Sequence, residues 1–208
     1  MAVVGIVPAA GRGERLGQDV PKAFTACAGR PLIDWSLEVL ESVCDRVVVA
    51  VPPGYETGPD RVTGGASRSE SVRLALAAAP EATVAVVHDA ARPLVTRELV
   101  EACIAALGEG FDGAVAAARA SDTIKEAGDD MRVVRTLDRS RLWAIQTPQA
   151  FVADVLRRAL DGGDLTSATD DAALVEAAGG SVRVVEAPPE NIKVTSAVDL
   201  RFAELLLC

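Results

Sequence analysis

The chain has 208 residues, half of them hydrophobic and only 3% aromatic, with a formal net charge of −9 and a pI near 4.7. That length suits a single α/β domain spanning 1–208 and burying about 70% of its unfolded surface. The acidity argues against general binding to nucleic acid or anionic membrane, so an anionic ligand must meet a local basic pocket.

The first predicted element is Val3–Val7, a short apolar run of the kind that forms a buried strand. It feeds directly into Pro8-Ala9-Ala10-Gly11-Arg12-Gly13-Glu14-Arg15-Leu16-Gly17, with Pro21-Lys22 just beyond. Ala9, Ala10, Gly11 and Gly13 leave room for a ligand to lie against backbone N–H groups, an arrangement phosphates favour. Arg12, Arg15 and Lys22 add mobile positive charge around the loop, and together these features predict a nucleoside triphosphate site. Two better-known phosphate loops are excluded. Leu16 stands where the dinucleotide fingerprint needs its third glycine, and no Gly-Lys-Ser/Thr tripeptide occurs for a P-loop.

Further strands are predicted at Val47–Val51, Val84–Val87, Ala114–Ala117 and Val182–Val185. Helical patterns fall at Leu32–Val43, Ser69–Ala79, Arg97–Leu107, Phe151–Leu160, Ala172–Ala178 and Ala197–Leu207. This alternation predicts a mostly parallel sheet with helices on both faces, and ligands at the carboxyl ends of its strands. No apolar run approaches the roughly 18 residues of a membrane span. Met1 leads straight into the first strand, leaving no room for a signal peptide. Cys27, Cys44, Cys103 and Cys208 are widely spaced and read as reduced thiols, so the expected location is the cytoplasm.

Between these elements lie the polar clusters. Gly64-Gly65-Ala66-Ser67-Arg68-Ser69-Glu70-Ser71 runs into a helix with Ser69 as its candidate N-cap. Capping accounts for one serine; Gly65, Arg68 and Ser71 could also read a base or hold a phosphate edge. His88-Asp89-Ala90-Ala91-Arg92-Pro93 follows the strand at Val84–Val87. There Asp89 is placed to hold Mg²⁺ through one carboxylate while a triphosphate supplies other ligands, the plainer alternative being a cap or an ion pair to Arg92. His88, the one histidine, reads as a satisfied core residue. Residues 119–139 break the rhythm: Asp122–Glu126 and Arg132–Thr136, joined by Gly128-Asp129-Asp130, form a polar hairpin. Such a hairpin is marginal alone, which predicts that it leans on another subunit. Thr169 is a candidate cap for the helix carrying Asp170 and Asp171, and Lys193 a snorkelling lysine or a ligand.

Taken in order, His88 to Pro93, Asp122-Thr123-Ile124-Lys125, Thr147-Pro148-Gln149 and Asn191-Ile192-Lys193-Val194-Thr195 resemble the 2-C-methyl-D-erythritol 4-phosphate cytidylyltransferase family over essentially the full length. The resemblance implies a Rossmann-like GT-A-type nucleotidyltransferase fold, a twisted α/β sheet with a protruding β-hairpin dimerisation arm. It implies a homodimer whose arm reaches into the partner's active site, with CTP and 2-C-methyl-D-erythritol 4-phosphate as substrates and Mg²⁺ as cofactor. By the same resemblance Arg15, Lys22 and Lys193 are catalytic cations, while Ala9, Ala10, Gly11, Gly13, Gly65, Arg68, Ser71, Asp89 and Ala90 form the nucleotide site. Asp89 is the metal-side carboxylate, and Arg92, Thr123, Arg139 and Thr147 hold the polyol phosphate. The chain departs from the family pattern at Leu16, Ala23 and Ala66, and the loop in 52–63 is short. The rival acceptor is ribitol 5-phosphate, and the rival class a non-catalytic nucleotide-sensing module.

Overall fold

The computed structural model describes residues 1–11 and 20–208. In chain order its elements are β1 (Val3–Pro8), β2 (Ala26–Cys27), β3 (Arg30–Pro31), α1 (Leu32–Glu41), β4 (Arg46–Val51), β5 (Arg61–Thr63) and α2 (Arg68–Ala77). Then come β6 (Val84–Val87), α3 (Arg97–Leu107), β7 (Gly113–Arg119), β8 (Lys125–Ala127), β9 (Val133–Thr136) and β10 (Trp143–Val152). The chain closes with α4 (Ala153–Gly162), α5 (Asp171–Ala177), β11 (Val182–Glu186) and α6 (Ala197–Leu207).

Seven strands form one sheet in the order β11-β7-β10-β6-β1-β4-β5. The pairs β1·β4, β1·β6, β4·β5 and β7·β11 are parallel, whereas β10 runs antiparallel to both β6 and β7. Strands covered on both faces must be apolar at successive positions, and β1, β4 and β6 are Val-rich for that reason. Their alternating side chains feed two cores. Val7, Val49 and Val86 face Ile33 and Leu40 of α1 and Leu99, Val100 and Cys103 of α3. Ile6, Val48, Ala85 and Phe151 face Val72 and Leu76 of α2, Leu156 and Leu160 of α4, and Leu174 of α5.

The predicted strands and helices all occur, with their ends shifted by a few residues. One central element was not anticipated. β10 occupies 143–152, where the sequence reading placed no strand and began a helix at Phe151. The physical reason is Gln146-Thr147-Pro148-Gln149, a polar run with a proline that cannot donate to a ladder. The sheet accommodates it at an irregularity between Ile145 and Gln149, with a cis Thr147–Pro148 bond. Two caps also differ from expectation. Ser67, not Ser69, caps α2 by accepting from the Glu70 N–H, and Asp170, not Thr169, caps α5 by accepting from the Ala173 N–H.

β8 and β9 form the expected hairpin, shorter than predicted, pairing Lys125 with Thr136 and Glu126 with Arg135. Every residue of both strands is exposed. At its tip Met131 adopts a left-handed φ of 62°, a conformation that usually falls to glycine. All four cysteines are free thiols, three of them buried. No helix among the described residues is long and apolar enough to cross a membrane.

Candidate active site

The carboxyl end of β6, the start of α2, the middle of β10, helix α5 and strand β11 converge on a cavity of about 480 Å³. Arg68, Asp89, Arg92, Thr147, Gln149 and Lys193 are among the residues lining it. Its size lies within the range that small ligands occupy.

None of the described residues of the β1 loop lines this cavity; Ala9 is buried and its N–H is donated to the Ala50 carbonyl at 2.7 Å, so it is not a free donor. A side chain on Gly64 would come within 2.3 Å of the Ala10 Cβ, so only glycine lets the two loops approach. A side chain on Gly11 would meet nothing within 4 Å among the described residues. Arg15 and Gly13, with Arg12, lie outside the described residues. Lys22 opens the 3-10 turn Lys22–Phe24, which closes as the Thr25 N–H donates to the Lys22 carbonyl.

The loop before α2 is held by its own serines. The Ser71 hydroxyl accepts from the Gly65 N–H at 3.1 Å and donates to the Ser67 carbonyl at 2.9 Å, while Glu70 accepts from the Ala66 N–H. Ser71 is buried, so its part in the site is to shape the Gly65 loop. Ala90 is likewise buried in the core beneath the site.

At the centre stands Asp89, buried at the end of β6. One carboxylate oxygen accepts from Arg68 Nε at 2.9 Å and the other meets Lys193 Nζ at 2.7 Å. Burial opposes its charge, but the Arg68 and Lys193 cations overcome that and hold its carboxyl well below the usual range. Arg68 Nη1 also bonds Asp171 at 2.6 Å, so its guanidinium is clamped between two carboxylates. Asp171 is fully buried, and that burial raises its pKa despite Arg68. Arg68 therefore lines the cavity with its guanidinium already paired to two carboxylates, not as a free arm. Sequence reasoning missed Asp171 as a site residue, because an acidic residue at a helix start already had an explanation in the dipole.

Arg92 is buried, with Nη1 bonded to the Asn191 carbonyl at 2.7 Å and Nε left without a partner. Asn191 is the tether that brings the Lys193 segment to β10, donating to Gln146 Oε1 at 2.8 Å and to the Thr147 carbonyl at 2.9 Å. The Val194 N–H adds a bond to the Ala91 carbonyl. His88 is fully buried and its pKa is pushed down to about 4 by desolvation, leaving a neutral ring. Thr123 and Arg139 are absent from the cavity wall; both are exposed, and Arg139 Nη1 bonds the Ser121 carbonyl.

Three cations, Arg68, Arg92 and Lys193, share the cavity wall with three carboxylates, Asp89, Asp170 and Glu176, in a protein of charge −9. The cations gather at the Asp89 end of that wall, which is where an anionic ligand would meet them. No group of three or more His, Cys, Asp or Glu able to hold a metal occurs among the described residues. Mg²⁺ keeps most of its waters and binds through one or two carboxylates plus phosphate oxygens, a demand that ionised Asp89 at the cavity edge fits. The Lys193 ammonium against Asp89 already marks a cation position there.

A family model described as IspD, 2-C-methyl-D-erythritol 4-phosphate cytidylyltransferase, matches residues 3–208. The curated enzyme of that name from Frankia casuarinae is 45% identical over 99% of this chain and 81% of its own length. That from Saccharopolyspora erythraea is 44% identical over the whole of both chains. The crystal structure of the Thermus thermophilus enzyme superposes with a TM-score of 0.82 at 35% identity, covering 99% of this chain and 98% of that one.

Proposed function

The chain belongs to the 2-C-methyl-D-erythritol 4-phosphate cytidylyltransferase family, and from that premise we propose how its own residues join the two substrates. It is a nucleotidyltransferase of isoprenoid precursor synthesis, on the α/β nucleotidyltransferase fold. A phosphate oxygen of methylerythritol phosphate attacks the α-phosphorus of CTP. A new P–O bond forms as the α–β bridge breaks, giving 4-diphosphocytidyl-2-C-methyl-D-erythritol and pyrophosphate. The second phosphate pKa lies near 6, so the nucleophile is already ionised and no strong general base is needed. The barrier is repulsion between two anions and the charge that develops on the leaving pyrophosphate.

The chain answers with cations. Lys193, steered by Asp89 and tethered through Asn191, and Lys22 and Arg15 from the β1 loop would stabilise the transferring phosphoryl group and align an in-line attack. Mg²⁺ at Asp89 would supply further neutralisation of the phosphate oxygens. Arg92, whose Nε is buried without a partner, and Thr147 would hold the polyol phosphate. Thr123 and Arg139, absent from the cavity wall of their own chain, would serve the site of a second copy through the exposed arm, making the working unit a homodimer. The acidic chain and free buried thiols accord with a cytoplasmic enzyme that contacts neither nucleic acid nor membrane.

The observation that carries the residue assignment is the Asp89 node, where Arg68 and Lys193 meet one buried carboxylate at the cavity floor. Its test is pyrophosphate release from CTP and Mg²⁺ with methylerythritol 4-phosphate and ribitol 5-phosphate side by side. Release with the methylerythritol compound, abolished in Lys22→Ala, is expected. Release with ribitol phosphate alone would overturn the acceptor, and CTP binding without transfer would point to a sensing module.

A further inference from the structure

The transfer mechanism makes no use of His88, yet its ring joins the two residues assigned to the polyol. Nε2 lies 3.2 Å from the Arg92 carbonyl oxygen and Nδ1 lies 3.1 Å from Thr147 Oγ1. A carbonyl can only accept, so Nε2 carries the ring proton. The ring is fully buried and its two nitrogens meet a carbonyl and a hydroxyl, with no carboxylate to pair a charge, so it is neutral. Nδ1 is then an acceptor, and the one proton available between it and Thr147 is that of the hydroxyl. The same hydroxyl oxygen already accepts the Asp89 N–H at 3.0 Å. Thr147 is left with one lone pair and no proton for the cavity that it lines.

We propose that His88 is a positioning residue that fixes Thr147 as a pure hydrogen-bond acceptor, so that Thr147 selects a hydroxyl of the polyol and turns away phosphate oxygens. A phosphate would meet it lone pair to lone pair, whereas an alcohol O–H completes its last bond. Since a free threonine hydroxyl rotates to suit either partner, the ring supplies the discrimination. The Arg92 N–H bonds the Asp89 carbonyl at 3.0 Å, so the ring's hold on the Arg92 carbonyl also fixes the turn that presents Arg92. This inference rests on the reading of the cavity as the polyol site, and it adds an orientation: polyol hydroxyl toward Thr147, phosphate toward the cations.

The experiment has two parts. Because the chain has a single histidine, one nitrogen spectrum of the ¹⁵N-histidine-labelled protein at neutral pH reports its tautomer without ambiguity. A protonated Nε2 and an unprotonated Nδ1 are expected; protonation at Nδ1, or at both nitrogens, overturns the proposal. Kinetics of His88→Leu and His88→Asn then separate positioning from packing, since the asparagine side-chain oxygen can replace Nδ1 as acceptor. Loss of one neutral hydrogen bond predicts a KM for methylerythritol phosphate raised roughly 5- to 10-fold in His88→Leu, with the KM for CTP little changed, and largely restored in His88→Asn. An equal rise for CTP, or no recovery in His88→Asn, overturns it. Absence of polyol-dependent turnover in the unaltered protein would sink the functional reading instead, while the spectrum would still decide the tautomer.

Discussion

The cavity floor and the hairpin arm solve opposite problems. At the floor, Asp89 and Asp171 are buried, and each is met by a cation of the same chain. On the arm, Val133 and Val134 are 60% and 64% exposed and Met131 83%, while the Arg135–Glu126 pair lies in the open. Buried charge is tolerated only when paired, so the floor must be complete within one chain. A two-stranded ribbon with bare apolar side chains is marginal alone, so the arm needs a surface from outside. The contrast separates a floor whose charges are paired within the chain from an arm whose apolar side chains stand uncovered on it.

The sharpest way to break that contrast is at Arg68. Arg68→Ala leaves two buried carboxylates without their shared partner and should cost about 3–5 kcal/mol of stability, read from urea denaturation. A midpoint unchanged from wild type would show that the floor is no closed ionic unit. Lys193→Ala sits at the exposed end of the same network, with 40% of its side chain accessible. It should keep most of its stability but lose roughly 10²- to 10³-fold in kcat, on the scale of a removed transition-state donor. On the arm the expectation reverses. Val134→Asp should leave the unfolding free energy of the isolated subunit within about 0.5 kcal/mol, as surface changes do. It should nonetheless shift sedimentation toward monomer and lower activity, and a fully active dimer would remove the arm from the account.

The smallest effect lies away from both regions. Asp199 and Ser196 form a capping box at the start of α6, and Asp199→Ala should cost about 1 kcal/mol with kinetics unchanged. Hydrogen bonds from Thr195 and Ser196 pull the Asp199 carboxyl down to about 2. A folded-state pKa below the unfolded value of about 3.9 stabilises above that value and is lost as pH falls. The difference between Asp199→Ala and wild type, followed by denaturation across pH, should therefore narrow from about pH 4 toward pH 2.

Much of this was readable in the chain because burial on both faces writes itself as apolar runs: β1, β4, β6, β7 and β11 were all placed. β10 was not, since Pro148 and two glutamines break the pattern that a central strand normally shows, and a local irregularity absorbs them. Asp89, Arg92 and Lys193, which the family resemblance singled out, line one cavity. What escaped were the long-range bonds. No local signal shows that Arg68 spans to Asp171, 103 positions away, or that Asn191 ties the Lys193 segment to β10. His88 was read as a satisfied core residue and is fully hydrogen-bonded, but its partners are what give it a part in the site.

The central claim, that each cavity is completed by the arm of a second copy, is tested most directly by mixing two crippled proteins. Arg139→Ala spoils only the arm and Lys193→Ala only the cavity. Refolded together in equal amounts, half the dimers should be mixed, and each mixed dimer holds one site with both side chains intact. The account predicts recovery of about a quarter of wild-type activity in the mixture, with almost none in either parent. Activity that never exceeds the average of the two parents, in dimers shown to have exchanged subunits, would contradict it.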